Sequence, residues 1–299
     1  MIYTDLAIES AAALQSDPGN AAGLSGVTID EDRFSDDVLV TRIVVEEEEA
    51  ARRMGKPCGS YITIESKQLL SDSQSSARKT SRALARELSR LIPFHDHLKV
   101  LAAGIGNEKI TPDSLGPHTV SKIRVTRHLF LMYDCDGDPE QSNVCAINPG
   151  VMAQTGVETA EILRRIVDFI RPDALLAVDS LAARDIDRMN TTIQMTDTGI
   201  SPGAGANNRR AQLTKDTVGC PVIAIGVPTV IHCETLLQDS LPEAAQNIGL
   251  PPLKAPDLIV TAANIDQVIH SFSSVIAEGI DFALHPGLYP EVVSTGAGL

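Results

Sequence analysis

The stretch Leu175-Leu176-Ala177-Val178-Asp179-Ser180-Leu181-Ala182-Ala183-Arg184 decides the architecture. Its apolar run, behind Arg171-Pro172-Asp173, reads as a strand buried on both faces. The run stops on a carboxylate. In an open α/β sheet, ligands bind beyond the carboxyl ends of the strands, so Asp179 stands where chemistry is expected. A second stretch repeats the design. Leu98-Lys99-Val100-Leu101-Ala102-Ala103 runs into Gly104-Ile105-Gly106-Asn107, and Thr111-Pro112-Asp113-Ser114-Leu115-Gly116 follows before the next helix. Two carboxylates at the same rim of one sheet can share a water.

Upstream of Asp179, Asn143-Val144-Cys145-Ala146-Ile147 is a strand and Pro149-Gly150-Val151-Met152 turns out of it. Thr155-Gly156-Val157-Glu158 reads as a capping box opening a helix with Ile162, Ile166, Phe169 and Ile170 inward. Strand, helix and strand make a βαβ unit, which implies a right-handed crossover and a parallel pair. Downstream, Met189 to Met195 is an excursion strand. The glycine-rich segment from Thr196 to Arg210 reads as a substrate-side or interface loop. Gly219 to Thr229 is another buried strand, Leu236 to Pro256 a linker. Ile265, Val268, Ile269, Phe272, Val275, Ile276 and Ile280 give the last helix a 3.6-residue face. Val38–Val45 and Gly59–Glu65, with a short helix between them, predict a small additional sheet. Ser71 to Leu91 is an amphipathic helix over the main sheet, and His118 to Leu131 is helical in pattern. The whole predicts a three-layer α/β/α sandwich with a mainly parallel sheet, in one domain.

Composition excludes several functions. A net charge of −14 repels phosphate backbones, and with no Trp and 3% aromatics no base-stacking platform is expected, so no direct nucleic-acid partner is. No apolar run approaches the roughly 20 residues that span a bilayer, so no membrane partner is expected either. Met1-Ile2-Tyr3-Thr4-Asp5 has no secretory pattern, which points to the cytoplasm. The 5 Cys are scattered without a C-x-x-C pair, against a disulfide framework or zinc ribbon.

No Gly-x-Ser-x-Gly elbow and no His-Glu-x-x-His zinc motif occurs. His95 and His97 precede a strand, at the rim opposite both aspartates. His128 and Arg127 sit on a helix as packing residues, and Asp134 to Ser142 lacks the spacing and closing Glu of an EF-hand. His232, after a strand end, is the histidine kept as a distant ligand candidate. The aspartates remain. Two close carboxylates cannot both ionise cheaply, so one keeps a proton. The ionised one draws a proton from water as it attacks an amide carbonyl, and the protonated one polarises the oxygen. Taken singly, each Asp reads better as a helix cap or a salt bridge, Asp113 above all.

Together these residues resemble the germination protease family, the spore endopeptidases. The matching stretches run in order from Thr4-Asp5-Leu6-Ala7-Ile8-Glu9 and Gly59 to Ser66, through Gly104-Ile105-Gly106-Asn107 with Thr111 to Pro117 and Thr126 to Phe130. They continue with Pro149 to Met152, Thr155 to Thr159, Asp179 to Arg184, Asn190 to Gln194 and Gly219 to Thr229. The resemblance implies an atypical aspartic endopeptidase with a fold akin to the hydrogenase-maturation peptidases and no cofactor. It also implies a tetramer made as a zymogen in the spore core, with small acid-soluble spore proteins as substrate. The family's proposed catalytic pair falls on Asp113 and Asp179. The family cuts after the acid of a Thr-acid-apolar-Ala motif, so self-processing is expected between Asp5 and Leu6, leaving residues 1–5 as pro-segment and 6–299 as the peptidase domain. Arg209-Arg210 match basic family residues. The pro-segment and the Leu236 to Pro256 linker are shorter than the family's. The alternative is a hydrogenase-maturation-type metallopeptidase holding a metal on the same aspartates and His232.

Overall fold

The computed structural model describes residues 4–16, 23–70, 74–202, 211–240 and 258–290. Among them the strands are β1 Val27–Ser35, β2 Val38–Val45, β3 Gly59–Glu65, β4 Lys99–Gly104, β5 Asn143–Ile147, β6 Ala174–Ala183, β7 Thr192–Thr196, β8 Val222–His232 and β9 Ile259–Thr261. The helices are α1 Ala7–Ser16, α2 Glu48–Met54, α3 Gln74–Leu91, α4 Leu115–Val120, α5 Arg127–Met132, α6 Met152–Thr155, α7 Thr159–Ile170, α8 Lys215–Val218, α9 Cys233–Ser240 and α10 Ile265–Leu284. The strands form one sheet in the order β1-β2-β3-β7-β8-β6-β4-β5, with β9 on β8.

This is an α/β fold, but the sheet is mixed rather than mainly parallel. Parallel ladders join only β8, β6, β4 and β5. The pairs β1–β2, β2–β3, β3–β7, β7–β8 and β8–β9 are antiparallel. Nor is there a separate small sheet, because β3 pairs with β7 from Tyr61↔Thr196 to Glu65↔Thr192 and joins β2 and β3 to the rest. The β1 strand was not legible in its acidic, largely exposed sequence.

Alternate residues of β6 enter opposite cores, which explains its unbroken apolar run. Leu176 and Val178 pack with α3, α4 and α10, while Leu175 and Ala177 pack with α7 and α8. The expected face of α10 is buried from Val268 to Ile280. Two helices differ from expectation. The single helix over His118–Leu131 is broken between α4 and α5, where the Thr126 hydroxyl donates to Ser142 O (2.6 Å) and accepts from Val144 N (2.8 Å). That bond pins the chain to β5. No capping box opens at Thr155, because Gly156 (φ 73°) closes α6 there; α7 starts at Thr159, with Leu163 and Val167 inward and Phe169 81% exposed.

One buried charge braces α3 against the β1–β2 hairpin. Glu87 accepts from Arg42 Nε and Nη2 at 2.7 Å each and from Arg86 Nε at 2.8 Å. Burial pushes its carboxyl up, but the hydrogen bonds and charge of Arg42, with Arg90 and Arg86, outweigh this and hold it below its ordinary 4.5. Its contribution to stability is therefore complete above that ordinary value and is lost as pH falls through the lower folded value. Glu87→Gln is expected to destabilise the fold by about 2 kcal/mol at pH 7, since Arg42 loses its buried partner and keeps only the more exposed carboxylates of Asp30 and Asp32. Urea unfolding at pH 7 and again near pH 3 would show the gap between variant and parent closing in acid. Equal midpoints at pH 7 would remove the pair from the account.

Candidate active site

The site begins where β4 stops. A Cβ on Gly104 would lie 2.4 Å from Gly116 O, and one on Gly116 would lie 2.3 Å from both Ile105 O and Val178 O. The start of α4 therefore rests backbone on backbone across the end of β4. Ile105 N donates to Val178 O at 2.7 Å, the last rung between β4 and β6. Gly106 (φ 114°) then turns the chain away, so close to Asp113 O that a Cβ would lie 2.0 Å from it. Asp113 ends the 3₁₀ turn Thr111–Asp113, and its Oδ2 accepts from Asn107 N at 2.8 Å. This bond of the half-buried carboxylate goes back across the turn, and Ser114 rather than Asp113 stands at the N-cap position of α4. Thr229 Oγ1 donates to Pro112 O (2.7 Å) and fixes the same turn to β8.

Asp179 is 2% exposed. The strand does not end on it as expected, because β6 continues to Ala183 and Asp179 lies opposite Gly226 of β8. Asp179 Oδ1 accepts from Ser180 N at 2.8 Å. Alternate residues of a parallel strand bond to alternate neighbours. Since Val178 O faces β4, Ser180 N faces the same way, where β4 has already ended. The Asp179 carboxylate is thus drawn to the vacated edge beside the turn that carries Asp113. The two aspartates flank one strand junction at the carboxyl rim.

The N-terminal segment fills the vacated lane. Asp5 N donates to Ala182 O (3.0 Å), and Ala182 N donates to Asp5 Oδ2 (2.8 Å). Leu6 is fully buried against Leu181 and Ala183. Gln194 of β7, opposite Gly226, spans the next bonds: its Nε2 donates to Asp5 O (2.9 Å) and its Oε1 accepts from Ala7 N (2.6 Å). Lys56 follows Gly55 (φ 65°), the left-handed cap of α2, and its Nζ donates to Thr4 O and Asp5 O at 3.0 Å each. Desolvation pushes the Lys56 amine below its usual range, against the opposing charges of Asp5 and Glu9. The Thr4 hydroxyl accepts from Leu6 N at 3.0 Å and donates to Glu9, which itself accepts from Arg184 N and Asp185 N at 2.9 Å each. Beside this segment opens a cavity of about 900 Å³, floored by Gln194, Thr196 and Gly226 and walled by the cations Arg52, Arg53, Lys56 and Arg184.

Sequence reasoning singled out Asp113, Asp179, Asp5 and Leu6 and passed over Lys56, Gln194 and Glu9, which contact the Thr4–Ala7 segment. A lone lysine after a glycine and a glutamine inside a strand carry no motif. His95 and His97 lie at the amino end of β4, as expected. His232 ends β8, one residue past Ile231, which pairs with Ala183. That places His232 five rungs beyond Asp179, about 16 Å along the sheet. Among the described residues no group of three or more His, Cys, Asp and Glu side chains is placed to hold a metal ion. Arg209-Arg210 and most of the glycine-rich loop lie outside the described residues, as does most of the Leu236 to Pro256 linker. No described helix is long and apolar enough to cross a membrane.

The arrangement has close counterparts in sequence. A family model described as germination protease matches residues 4–249. A germination protease of Caldanaerobacter subterraneus subsp. tengcongensis is 37% identical over 314 residues, covering 96% of this chain and 95% of that protein. A germination protease of Clostridium perfringens is 35% identical over 98% of both chains, and one of Bacillus cereus is 39% identical over 83% of this chain and 68% of its own. The matched region runs from Thr4 through both aspartate elements to beyond β8, and on that agreement the chain belongs to the germination protease family, protein-cleaving hydrolases of spore germination.

Proposed function

We propose that this chain is an aspartic-type endopeptidase that degrades small acid-soluble spore proteins in the spore core, and that it is made as a zymogen that cuts itself between Asp5 and Leu6. The observation that carries this reading is the seating of Thr4-Asp5-Leu6-Ala7 beside β6, where Asp5 N bonds to Ala182 O, three residues past Asp179, and the Asp5 carbonyl is clamped by Lys56 and Gln194. The segment is held as a substrate would be. Asp5 meets the Ala182 amide, Leu6 an apolar seat, and Ala7 a site with no exposed surface.

In this mechanism Asp113 and Asp179 share one water. The ionised carboxylate takes a proton from the water as its oxygen attacks the Asp5 carbonyl carbon. The other, kept protonated by its neighbour's charge, supplies a proton to the products. The cavity lining carries four cations, Arg52, Arg53, Lys56 and Arg184, against two acids, Asp5 and Glu9, and this local excess in a chain of net charge −14 suits an acidic polypeptide. A fold akin to the hydrogenase-maturation peptidases and a homotetramer belong to the same reading. The chain incubated alone is expected to yield a product beginning at Leu6, seen by intact mass. Asp5→Ala should stop that cut by removing the acceptor on Ala182 N. Processing of Asp5→Ala at the parent rate would rule out Asp5 as the recognised acid.

A further inference from the structure

We propose that Lys56 and Gln194 are catalytic residues that together hold and polarise the carbonyl oxygen of the bond being cut. This rests on the reading of Asp5–Leu6 as that bond. The two donors come from separate elements and meet on one oxygen, Lys56 Nζ at 3.0 Å and Gln194 Nε2 at 2.9 Å from Asp5 O.

Neither side chain is placed there by the needs of the fold alone. A half-buried lysine ordinarily lays its stem on apolar surface and sends its amine to water. Lys56 instead brackets two consecutive main-chain carbonyls. Its own backbone is fixed by the left-handed Gly55 and by Lys56 N donating to Ala51 O at 3.1 Å. Gln194 is buried in mid-strand, paired with Thr63 on one side and Gly226 on the other. Its amide has one usable orientation, because Ala7 N–H occupies Oε1 and turns the NH₂ group onto Asp5 O. Gly226 lies between Gln194 and Asp179 in the sheet, and the Leu181 side chain packs over it, so close that a Cβ would lie 2.6 Å from Leu181 Cγ.

The step balances with these groups. The water oxygen bonds to the Asp5 carbonyl carbon, and the water proton goes to the ionised carboxylate. The carbonyl π pair moves onto the oxygen between Lys56 and Gln194. When that pair returns, the bond to Leu6 N breaks and the nitrogen takes the proton of the second carboxyl. An Asp5 α-carboxylic acid, which keeps the second water proton until it ionises to solvent, and a neutral Leu6 amine remain, and the two catalytic carboxyls have exchanged protonation states. Fixed donors in a desolvated site are worth most where charge develops. With the oxygen served by Lys56 and Gln194, the protonated aspartate is released for the leaving nitrogen.

The test uses the full chain with Lys56→Met and Gln194→Met, beside Asp179→Asn. Two rates are read: appearance of the product beginning at Leu6, and kcat and KM for cleavage in trans of a peptide containing Thr-Asp-Leu-Ala. Each substitution is expected to lower kcat about 100-fold, as removal of one such donor does elsewhere. A packing role would instead move stability and KM and leave kcat. Lys56→Met, at a half-buried helix end, should melt within a few degrees of the parent and decides the matter alone if Gln194→Met unfolds. Parent-like kcat in folded Lys56→Met, with Asp179→Asn inactive, would overturn the assignment and leave the protease reading standing. No cleavage by the parent chain would overturn both.

Discussion

Asp179→Asn is expected to lower kcat by about 1,000-fold or more while the protein stays folded, a loss of about 4 kcal/mol in transition-state stabilisation. The substitution is nearly isosteric. The Asn oxygen can still accept from Ser180 N, the bond Asp179 Oδ1 makes at 2.8 Å, so β6 and its neighbours need not rearrange. What is lost is the capacity to take a proton from water. The measurement is kcat for a peptide carrying Thr-Asp-Leu-Ala, alongside self-processing by mass and a thermal melt. An Asp179→Asn protein as active as the parent would end the two-carboxylate mechanism. Asp113→Asn should show the same kinetic defect, because Asn107 N needs only an acceptor there.

Gly116→Ala is expected to destabilise the protein by about 3 kcal/mol or more. The added carbon would meet Ile105 O and Val178 O at 2.3 Å and Ile105 N at 2.4 Å, all main-chain atoms that no rotamer can move. Relief requires α4 to lift from the sheet, and the turn carrying Asp113 is joined directly to α4. Activity should therefore fall further than stability at temperatures where the variant is still folded. Urea unfolding together with kcat checks both. A Gly116→Ala protein as stable as the parent would mean that α4 does not press on the strand ends.

The parallel core was legible because its signals are local. β6, β4 and β8 are apolar runs too short for helices, and α10 has an unbroken helical face. The join between β3 and β7 was not legible, since pairing between segments more than a hundred residues apart leaves no trace in either one. Both aspartates were singled out by their position beyond apolar runs. The reason given for Asp179 was incomplete: the strand passes through it, and the carboxylate reaches the rim because β4 is the shorter neighbour. Lys56 and Gln194 escaped notice because their partners are main-chain atoms, which every residue offers. The helix from His118 failed at Thr126, where a side chain bonded to β5 outweighed local helical preference.

The early end of β4 also sets what kind of polypeptide can be cut. Ala182 offers one N–H and one C=O past the end of β4; its C=O takes the Asp5 main-chain N–H and its N–H the Asp5 carboxylate, so a partner seated the same way must bring an unspent main-chain donor with an acid on the same residue. Helices and interior strands of finished proteins have already committed theirs. On the proposed reading, selection falls on conformation as well as on side chains, so that compact neighbours would be spared while slack, unstructured chains would be consumed.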